Sequence, residues 1–216
     1  NGTVADSIIT ADRPLKVVKL SSGDDLYEAD GFYGLTRFTN KVSQGVIKPQ
    51  GPSGYGAFDM VPYNKKLWVA HGGYDRNWGY TYKQDGFSKF ENESWTSITP
   101  RNNAVMGNSW DHVRIAVDPL NSDVYVGSFG FGLYRYTADG TLHNLTDSST
   151  KFEGTVGDEN SYRITGLCFD AEGNLWMNQY GAPHELLVKT RDGQYYNFSG
   201  AAARSSGASV IVDDYN

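Results

Sequence analysis

The sequence predicts an all-β protein, and three observations support this prediction. Its 216 residues include 25 glycines, 15 tyrosines, 10 phenylalanines and 5 tryptophans, a composition that favours twisted sheet with tight turns. No segment shows a sustained apolar pattern at helical spacing, so we expect almost no helix. The third observation is an internal repeat of short predicted strands along the chain.

The repeat is a short apolar strand, a polar turn, a second strand with an aliphatic-aromatic pair, a glycine-containing link and a third strand. It occurs in Met60–Tyr82, Ala116–Tyr136 and Cys168–Thr190. Its register is marked by four pairs, spaced about 40 to 60 residues apart: Leu26-Tyr27, Leu67-Trp68, Val124-Tyr125 and Leu175-Trp176. The uneven spacing indicates insertions in the loops and strands held in common.

Each unit continues into a predicted fourth, outer strand. The sequence places these outer strands at Glu93–Ile98, Gly140–Leu145 and Gly193–Phe198. A single four-stranded antiparallel meander cannot bury both of its faces, so repeated units of this length must pack on one another. Such a repeat is typical of β-propeller blades. We therefore predict a β-propeller and exclude parallel βαβ folds and helical bundles.

The repeat predicts one propeller segment of about four blades. The predicted blades are residues 14–55, 56–108, 109–160 and 161–203, and residues 204–216 start a further blade or close the first. No clear first strand precedes Leu26. A closed four-bladed ring and a fragment of a larger propeller both fit this pattern. We favour the fragment, because four-bladed rings are rare and the sequence ends within a turn.

Composition and charge argue against several classes of protein. The net charge of −6 and a pI near 5.1, without clustered Lys and Arg, argue against nucleic acid as a partner. No apolar run reaches the roughly 18 to 20 residues of a membrane span, so no transmembrane segment is expected. The first residues lack the pattern of a signal peptide. The protein is cytosolic, has lost a signal peptide, or starts inside a longer chain.

No catalytic motif, metal site or cofactor site is predicted. The carboxylates of Asp118, Asp170 and Asp213 each end a first strand, where we expect them to accept hydrogen bonds in the following turn. The four histidines lack metal-ligand spacing, and the single Cys168 excludes zinc sites built from cysteine pairs. The glycines of 127–134 precede a strand and not a phosphate-binding helix. We therefore expect a non-enzymatic protein.

The candidate ligand site is the long aromatic link Ala70–Tyr82. It is longer than its counterparts and contains Tyr74, Arg76, Trp78 and Tyr80. Exposed aromatic rings stack on sugars, while Arg and Asp bind hydroxyl or acidic groups, so this link would hold a glycan or a peptide. Alternatively, the same rings pack between blades. His71 and His184 follow second strands and could line the channel or the rim, so they join the candidate site.

Two stretches resemble known propeller repeats. Residues 164–176, with Asp170 and the Gly-Asn-Leu-Trp run that follows it, resemble the repeat of two-component-regulator propellers. His112–Tyr136 is similar to the blades of the PorZ-like proteins of the type IX secretion system. The matching residues are Val117, Asp118, Pro119, Asn121, Val124, Val126, Ser128, Gly130, Gly132, Leu133 and Tyr136. The resemblance extends over roughly residues 59–216.

The PorZ-like resemblance implies an exported, non-enzymatic propeller in the periplasm or at the outer-membrane surface. The partners it implies are a sortase-like protein in a secretion or surface complex and an anionic lipopolysaccharide. Two alternatives stay open: the periplasmic glycan-sensing propeller of a hybrid two-component regulator, and a propeller lyase or glycosidase. A glycosidase would need two carboxylates facing each other across a cleft. Neither family resemblance transfers a catalytic residue to this chain.

Overall fold

The structure, a computed structural model, describes residues 13–20, 23–31, 34–47, 50–146, 150–198 and 209–213. It divides into two compact units, Asn1–Gly51 and Pro52–Asn216. Parts of the predicted last segment, residues 204–208 and 214–216, lie outside the described residues. Residues 209–213 are described without a strand, so the role predicted for 204–216 stays a prediction.

The first unit contains one four-stranded antiparallel sheet. Its strands are β1 (Pro14–Lys19), β2 (Leu26–Asp30), β3 (Gly34–Thr39) and β4 (Val42–Ile47), which pair in chain order. The expectation that no strand precedes Leu26 was wrong. The β1 sequence, PLKVVK, does not alternate between apolar and polar residues, and every residue of β1 is exposed. This strand is therefore defined by its pairing with β2, and no alternation of apolar and polar residues in the sequence predicts it.

The second unit contains one four-stranded sheet and one eight-stranded sheet. The four-stranded sheet consists of β5 (Asp59–Tyr63), β6 (Lys66–Ala70), β7 (Phe87–Glu91) and β8 (Ser94–Ile98). The eight-stranded sheet consists of β9 (His112–Val117), β10 (Val124–Gly130), β11 (Gly132–Tyr136), β12 (Leu142–Asn144), β13 (Tyr162–Phe169), β14 (Leu175–Gln179), β15 (Leu186–Lys189) and β16 (Tyr195–Phe198). The predicted outer strands are confirmed as β8, β12 and β16.

The eight-stranded sheet is two antiparallel meanders, β9–β12 and β13–β16, that join along one short stretch. Among the described residues, β10 and β13 pair through Phe129 with Arg163 and Gly130 with Tyr162, and one isolated bridge joins Phe131 to Tyr162. In the described residues, helix is confined to one 3₁₀ turn, Ala104–Met106, which Asn103 caps by accepting a hydrogen bond from Val105 N. These observations confirm the predicted all-β fold made of four-stranded antiparallel meanders.

The aliphatic-aromatic pair of the repeat places one side chain on each face of its sheet. In β10, Val124 packs in a core with Trp68 of the β5–β8 sheet. The next residue, Tyr125, points to the opposite face and packs in a second core with Leu175 and Met177 of β14. Because side chains of a strand alternate between faces, the β9–β12 meander is buried on both sides. The meanders of this unit thus pack face to face, as propeller blades do.

Short turns of recurring chemistry close the meanders at one end. Asn64-Lys65 and Asn92-Glu93 have positive φ at both positions, between 46° and 60°, as two-residue hairpin turns require. The turns 137–141 and 190–194 share a Thr-x-Asp-Gly sequence. In both, the Gly N–H donates to the Thr carbonyl at 2.9 Å, and the Thr hydroxyl donates to the Asp carboxylate. The repeat therefore extends to hydrogen bonds within the turns.

In two meanders, an aspartate at the end of the first strand accepts hydrogen bonds from backbone N–H groups of the turn that follows. Asp118 Oδ1 accepts a hydrogen bond from Leu120 N at 2.9 Å. Asp170 accepts from Asn174 N at 2.7 Å and also from the indole Nε1 of Trp176 at 2.8 Å. Burial opposes ionisation of Asp170, but the bonds from Trp176 and Asn174 outweigh it and lower its pKa. Both carboxylates serve their turns, as expected from the sequence.

Candidate functional site

The two ends of the sheets in the second unit differ in how the chain connects the strands. At the link end, second strands lead into third strands through residues 71–86, 131 and 180–185. The segments 99–111 and 145–161 connect the fourth strand of one meander to the first strand of the next. At the opposite turn end, the connections are the short turns that follow first and third strands. The candidate ligand residues lie at the link end: His71, Tyr74, Arg76, Trp78 and Tyr80 on link 71–86, and His184 on link 180–185.

Link 71–86 forms a small hairpin whose tip is closed by Asp75. The Asp75 carboxylate Oδ1 accepts hydrogen bonds from Asn77 N at 2.8 Å and Gly79 N at 2.7 Å. These bonds, first to Gly79 and then to Asn77, lower the pKa of Asp75. They hold Trp78 at a φ of 61°, a left-handed conformation that is rare for a bulky residue. The tip is therefore held in one defined, strained shape.

Trp78 is the centre of a three-ring stack. Its indole lies 4.6 Å from the Tyr74 ring and 4.5 Å from the Tyr180 ring, with an interplanar angle of 18° in both cases. Phe129 of β10 lies 4.9 Å from Tyr74, beneath the stack. Since Tyr180 follows β14, the stack connects the link of the β5–β8 sheet to the β13–β16 meander. Both faces of the Trp78 indole are covered by protein rings.

Tyr80 makes a second, polar connection to the same meander. Its hydroxyl donates to Asp158 Oδ2 at 3.0 Å, bonds to the Ser161 hydroxyl, and accepts from Arg163 Nε at 3.0 Å. Arg163 also pairs with Asp158 at 3.0 Å, and its guanidinium carbon lies 4.6 Å from the Tyr80 ring centroid. Tyr80 is therefore held by a charged network, and its hydroxyl is fully used.

The buried carboxylate of Asp111 fixes the descending arm of the link. It accepts hydrogen bonds from Thr81 N at 2.7 Å, Tyr82 N at 2.9 Å, Lys83 N at 3.1 Å and the Thr81 hydroxyl at 2.5 Å. Three consecutive backbone N–H groups thus converge on one carboxylate that has no solvent exposure. As a result Tyr82 adopts a φ of 56°. Strained backbone conformations of this kind cluster at functional sites.

Gly72 allows the start of the link to approach β9 closely. Its N–H donates to His112 O at 2.7 Å. A Cβ at this position would lie 2.3 Å from the backbone of Asp111 and His112, far inside van der Waals contact. Only glycine fits here, so the link is anchored at both arms to the segment that enters β9.

Tyr82, Trp110 and Phe131 form the exposed aromatic face of the link end. The Tyr82 ring is 63% exposed and lies 5.2 Å from Trp110, which in turn lies 4.6 Å from Phe131. The indole Nε1–H of Trp110 is buried and has no hydrogen-bond partner. This face differs from the Trp78 stack, because the Tyr82 ring is tilted by 59° to Trp110 and by 48° to Tyr80, with no stacked ring contact among the described residues, and Tyr82 is largely exposed.

The remaining predicted site residues lie in different environments. Arg76 is exposed at the hairpin tip. The side chain of His184 is 43% exposed, and its Nδ1 lies 2.9 Å from Glu153 Oε1. His71 is only 2% exposed, and its ring nitrogens lie 2.6 Å from Gly56 O and 2.8 Å from the Ser88 hydroxyl. Burial lowers the pKa of His71, so it is a neutral residue of the sheet interior and not part of an exposed surface.

Sequence reasoning missed four residues that build this end: Tyr82, Trp110, Asp111 and Tyr180. Tyr82 closes the link that the sequence had singled out, so its position could have been included. Trp110 and Asp111 precede a predicted first strand. The turn acids lie after first strands, so an acid before one is a different signal in the sequence. Tyr180 lies about 100 residues from Trp78 in sequence, and no local signal connects the two. Among the described residues, no three His, Cys, Asp or Glu side chains gather as metal ligands.

No protein-family model matches the sequence, and no curated protein is significantly similar to it. Solved structures do resemble it. PorZ, an essential bacterial surface component of the type-IX secretion system of Porphyromonas gingivalis, is 21% identical with a TM-score of 0.67, over 85% of this chain and 25% of PorZ. Virginiamycin B lyase from Staphylococcus aureus is 11% identical with a TM-score of 0.52, over 90% of this chain and 58% of the lyase.

A third structure is an extracellular domain assigned to a hybrid two-component system of B. thetaiotaomicron. It is 12% identical with a TM-score of 0.34, over 97% of this chain and 31% of that chain, a similarity too low to support an argument. The chain thus spans a quarter of the PorZ chain and little more than half of the lyase chain. At these identities the comparisons show the fold, and they confirm the PorZ-type propeller resemblance at that level. Within the described residues, no helix is long and apolar enough to cross a membrane.

Proposed function

We propose that this chain is part of a non-enzymatic propeller binding module of an exported bacterial protein of the PorZ type, and that its link end binds a surface glycan. One observation carries the glycan assignment. Buried Asp111 holds Tyr82 at a strained positive φ with its ring 63% exposed beside Trp110. Strain of this kind costs of order 1–3 kcal/mol and persists where the surrounding structure imposes it.

The chemistry of this face suits a sugar. An exposed tyrosine ring offers a flat apolar surface for the C–H face of a pyranose, and its hydroxyl can bond to sugar hydroxyls. The Nε1–H of the neighbouring Trp110 is buried and has no hydrogen-bond partner, so it would donate to a sugar oxygen only if the indole moves. A peptide partner would need backbone donors at a free sheet edge or an apolar groove, whereas this face is a small aromatic platform.

The residues predicted from the sequence have different roles in this proposal. Tyr74, Trp78 and Tyr80 support the face, since their rings and hydroxyl are engaged with Tyr180 and with Arg163. Arg76 and His184, which are exposed at the same end, are proposed as polar contacts to the ligand. His71 is left out because both of its ring nitrogens are already bonded.

Export and a role in surface secretion or attachment are also proposed. The support is the fold similarity to PorZ, which is a bacterial surface component of a secretion system. A protein partner in such a complex is the second candidate ligand for the link end. The fold similarity to a lyase does not by itself assign an activity, because propellers host many unrelated functions.

The test is a titration of soluble bacterial surface polysaccharides against the wild-type chain and Tyr82→Ala. We expect the variant to bind at least about tenfold more weakly, because a stacking ring at the centre of a site contributes strongly to affinity. Tyr196→Ala is the matched control, since Tyr196 is similarly exposed, at 53%, but lies on β16 away from the link end.

Equal affinities for wild type and Tyr82→Ala would refute the glycan assignment to this face. Trp78→Ala tests whether the indole supports the face or contacts the ligand. We expect this variant to lower both the affinity for the polysaccharide and the free energy of unfolding. If Trp78→Ala loses affinity while its unfolding free energy is unchanged, the indole contacts the ligand directly. Binding of a protein partner without any polysaccharide binding would replace the glycan with the second candidate.

A further inference from the structure

A small cleft at the turn end has a composition unlike that of the link end. It has a volume of about 270 Å³ and lies between the β9–β12 and β13–β16 meanders. Tyr125 and Phe169, whose rings are 5.4 Å apart, line its apolar side. Asp118, Leu120, Asn121 and Gly173 from the two first turns also line it. The remaining wall carries three cationic side chains: Arg135, Lys189 and Arg191.

Lys189 is a half-buried cation without a counter-charge. Its Nζ donates one long hydrogen bond, 3.4 Å, to Thr190 O and lies 6.0 Å from the centroid of the Tyr125 ring. Among the described residues, no carboxylate lies within ion-pair distance of it. Burial lowers the pKa of Lys189 and Arg135 adds to this, while Asp118 and Asp192 oppose it. The ammonium group has three N–H donors and, among the described residues, one long hydrogen bond, so it can donate to further acceptors.

The other charged groups around the cleft are mostly engaged. Arg135 pairs with Asp123 through Nε at 2.7 Å and its terminal nitrogen at 2.5 Å. Asp118 accepts from the backbone of its own turn, and Asp192 accepts from the Thr190 hydroxyl. The exposed guanidinium of Arg191 has no carboxylate partner among the described residues, and its stem passes Gly173. Lys189 and Arg191 are thus the two cations of the cleft with free donors.

Gly173 allows the two first turns that line the cleft to approach closely. Its φ is 84°, and a Cβ there would lie 2.6 Å from the Leu120 side chain, so the two first turns touch at this point. The volume admits a group the size of phosphate, sulfate or a carboxylate and excludes a chain of sugars. A divalent metal ion does not suit a wall of three cations.

We infer that this cleft binds a small oxyanion group, of the phosphate, sulfate or carboxylate type, between Lys189 and Arg191. The oxygen atoms accept from the Lys189 ammonium and the Arg191 guanidinium, which satisfies the half-buried charge. This site is independent of the proposed function, because it lies at the turn end and shares no residue with the exposed aromatic face.

The experiment titrates the full chain with inorganic phosphate, sulfate and acetate at low ionic strength, followed by the amide resonances of residues 189–193. We expect saturable binding of at least one anion, and the order among the three identifies the oxyanion type. Lys189→Met keeps the apolar stem and removes the charge, and Arg191→Gln does the same at an exposed position that cannot affect folding strongly. Each should weaken binding at least about tenfold.

Lys65→Met is the matched control, since it removes one exposed positive charge from another turn at the same end of the second unit. It should leave the affinity unchanged within about twofold. Absence of saturable binding of all three anions overturns the inference. A loss in Lys65→Met equal to that in Lys189→Met also overturns it, because the anion would then respond only to the net charge of the surface.

Discussion

The link end and the turn end of the second unit differ in how far apart in sequence the residues that hold their connections lie. At the turn end, each connection is closed by its own residues: Asp118, Asp170 and the Thr-x-Asp-Gly turns bond within a few positions of themselves. At the link end, the hairpin tip at Asp75 also closes locally, but the long link is in addition held by residues far away in sequence. Tyr80 bonds to Asp158 and Arg163, and Trp78 stacks on Tyr180.

This difference indicates which connections can vary between repeats and so provide a function. Short turns must satisfy the same backbone groups in each meander, so their chemistry recurs. The links have no such constraint. The longest of them belongs to the β5–β8 meander, contacts the other two meanders through Phe129 and Tyr180, and has strained backbone at Trp78 and Tyr82. Three changes, taken from the largest expected effect to the smallest, test this contrast.

Asp111→Ala tests whether the link end depends on one buried carboxylate. The change leaves three backbone N–H groups and a hydroxyl without their acceptor, and each unsatisfied buried group costs about 1–3 kcal/mol. We expect the free energy of unfolding to fall by at least about 3 kcal/mol, measured by urea denaturation.

The matched control for that change is Asp139→Ala at the turn end. Asp139 also accepts from a backbone N–H and a hydroxyl, but it is exposed to water, which can replace it. We expect it to cost about 1 kcal/mol or less. Equal losses in the two variants would show that the ends do not differ in the way described.

Acidification should weaken the link end before the turn end. His112, where β9 begins, is fully buried, and burial lowers its pKa to about 3. In the unfolded chain a histidine has a pKa near 6.5, so the unfolded state binds a proton between pH 6.5 and 3 that the folded state does not. This contribution to stability is complete above pH 6.5 and is lost as the pH falls.

Between pH 7 and pH 5 this loss amounts to about 2 kcal/mol for His112. His112→Gln removes the titrating group, so its unfolding free energy should change by about 2 kcal/mol less than that of the wild type over the same interval. Urea denaturation at the two pH values measures both. If the variant and the wild type lose equal stability, His112 is not held neutral in the folded protein.

Asp170→Ala probes the turn end, where we expect the smallest effect of the three changes. The alanine removes the acceptor of Asn174 N and of the Trp176 indole N–H, but both groups lie near solvent. The expected cost is about 1–2 kcal/mol, with a shift of the Trp176 indole resonance. Since the folded pKa of Asp170 is lowered, its contribution is present above the unfolded value near 3.9 and is lost only below it.

A cost of Asp170→Ala above that of Asp111→Ala would reverse the contrast between the two ends. An unchanged Trp176 resonance together with a large loss of stability would also contradict this contrast. The stability of the turn would then depend on residues outside the turn.

Much of the fold could be predicted because the repeat is local. Leu67-Trp68, Val124-Tyr125 and Leu175-Trp176 lie in the second strands β6, β10 and β14, as expected from alternation. Strand β1 was missed because its side chains are exposed on both faces, which leaves no pattern. The long link that the sequence singled out does connect a second strand to a third strand, but its exposed aromatic residue is Tyr82, and the Trp78 indole is covered on both faces.

The sequence by itself determined the meanders and the turns, because a strand's alternation and a turn's hydrogen bonds involve residues within a few positions of each other. Only the tertiary structure decided which aromatic residue faces solvent. That outcome depends on contacts between Trp78 and Tyr180 and between Asp111 and the backbone of 81–83, which no periodicity encodes. The unpaired charge of Lys189 likewise exists only because two meanders bring their turns together around it.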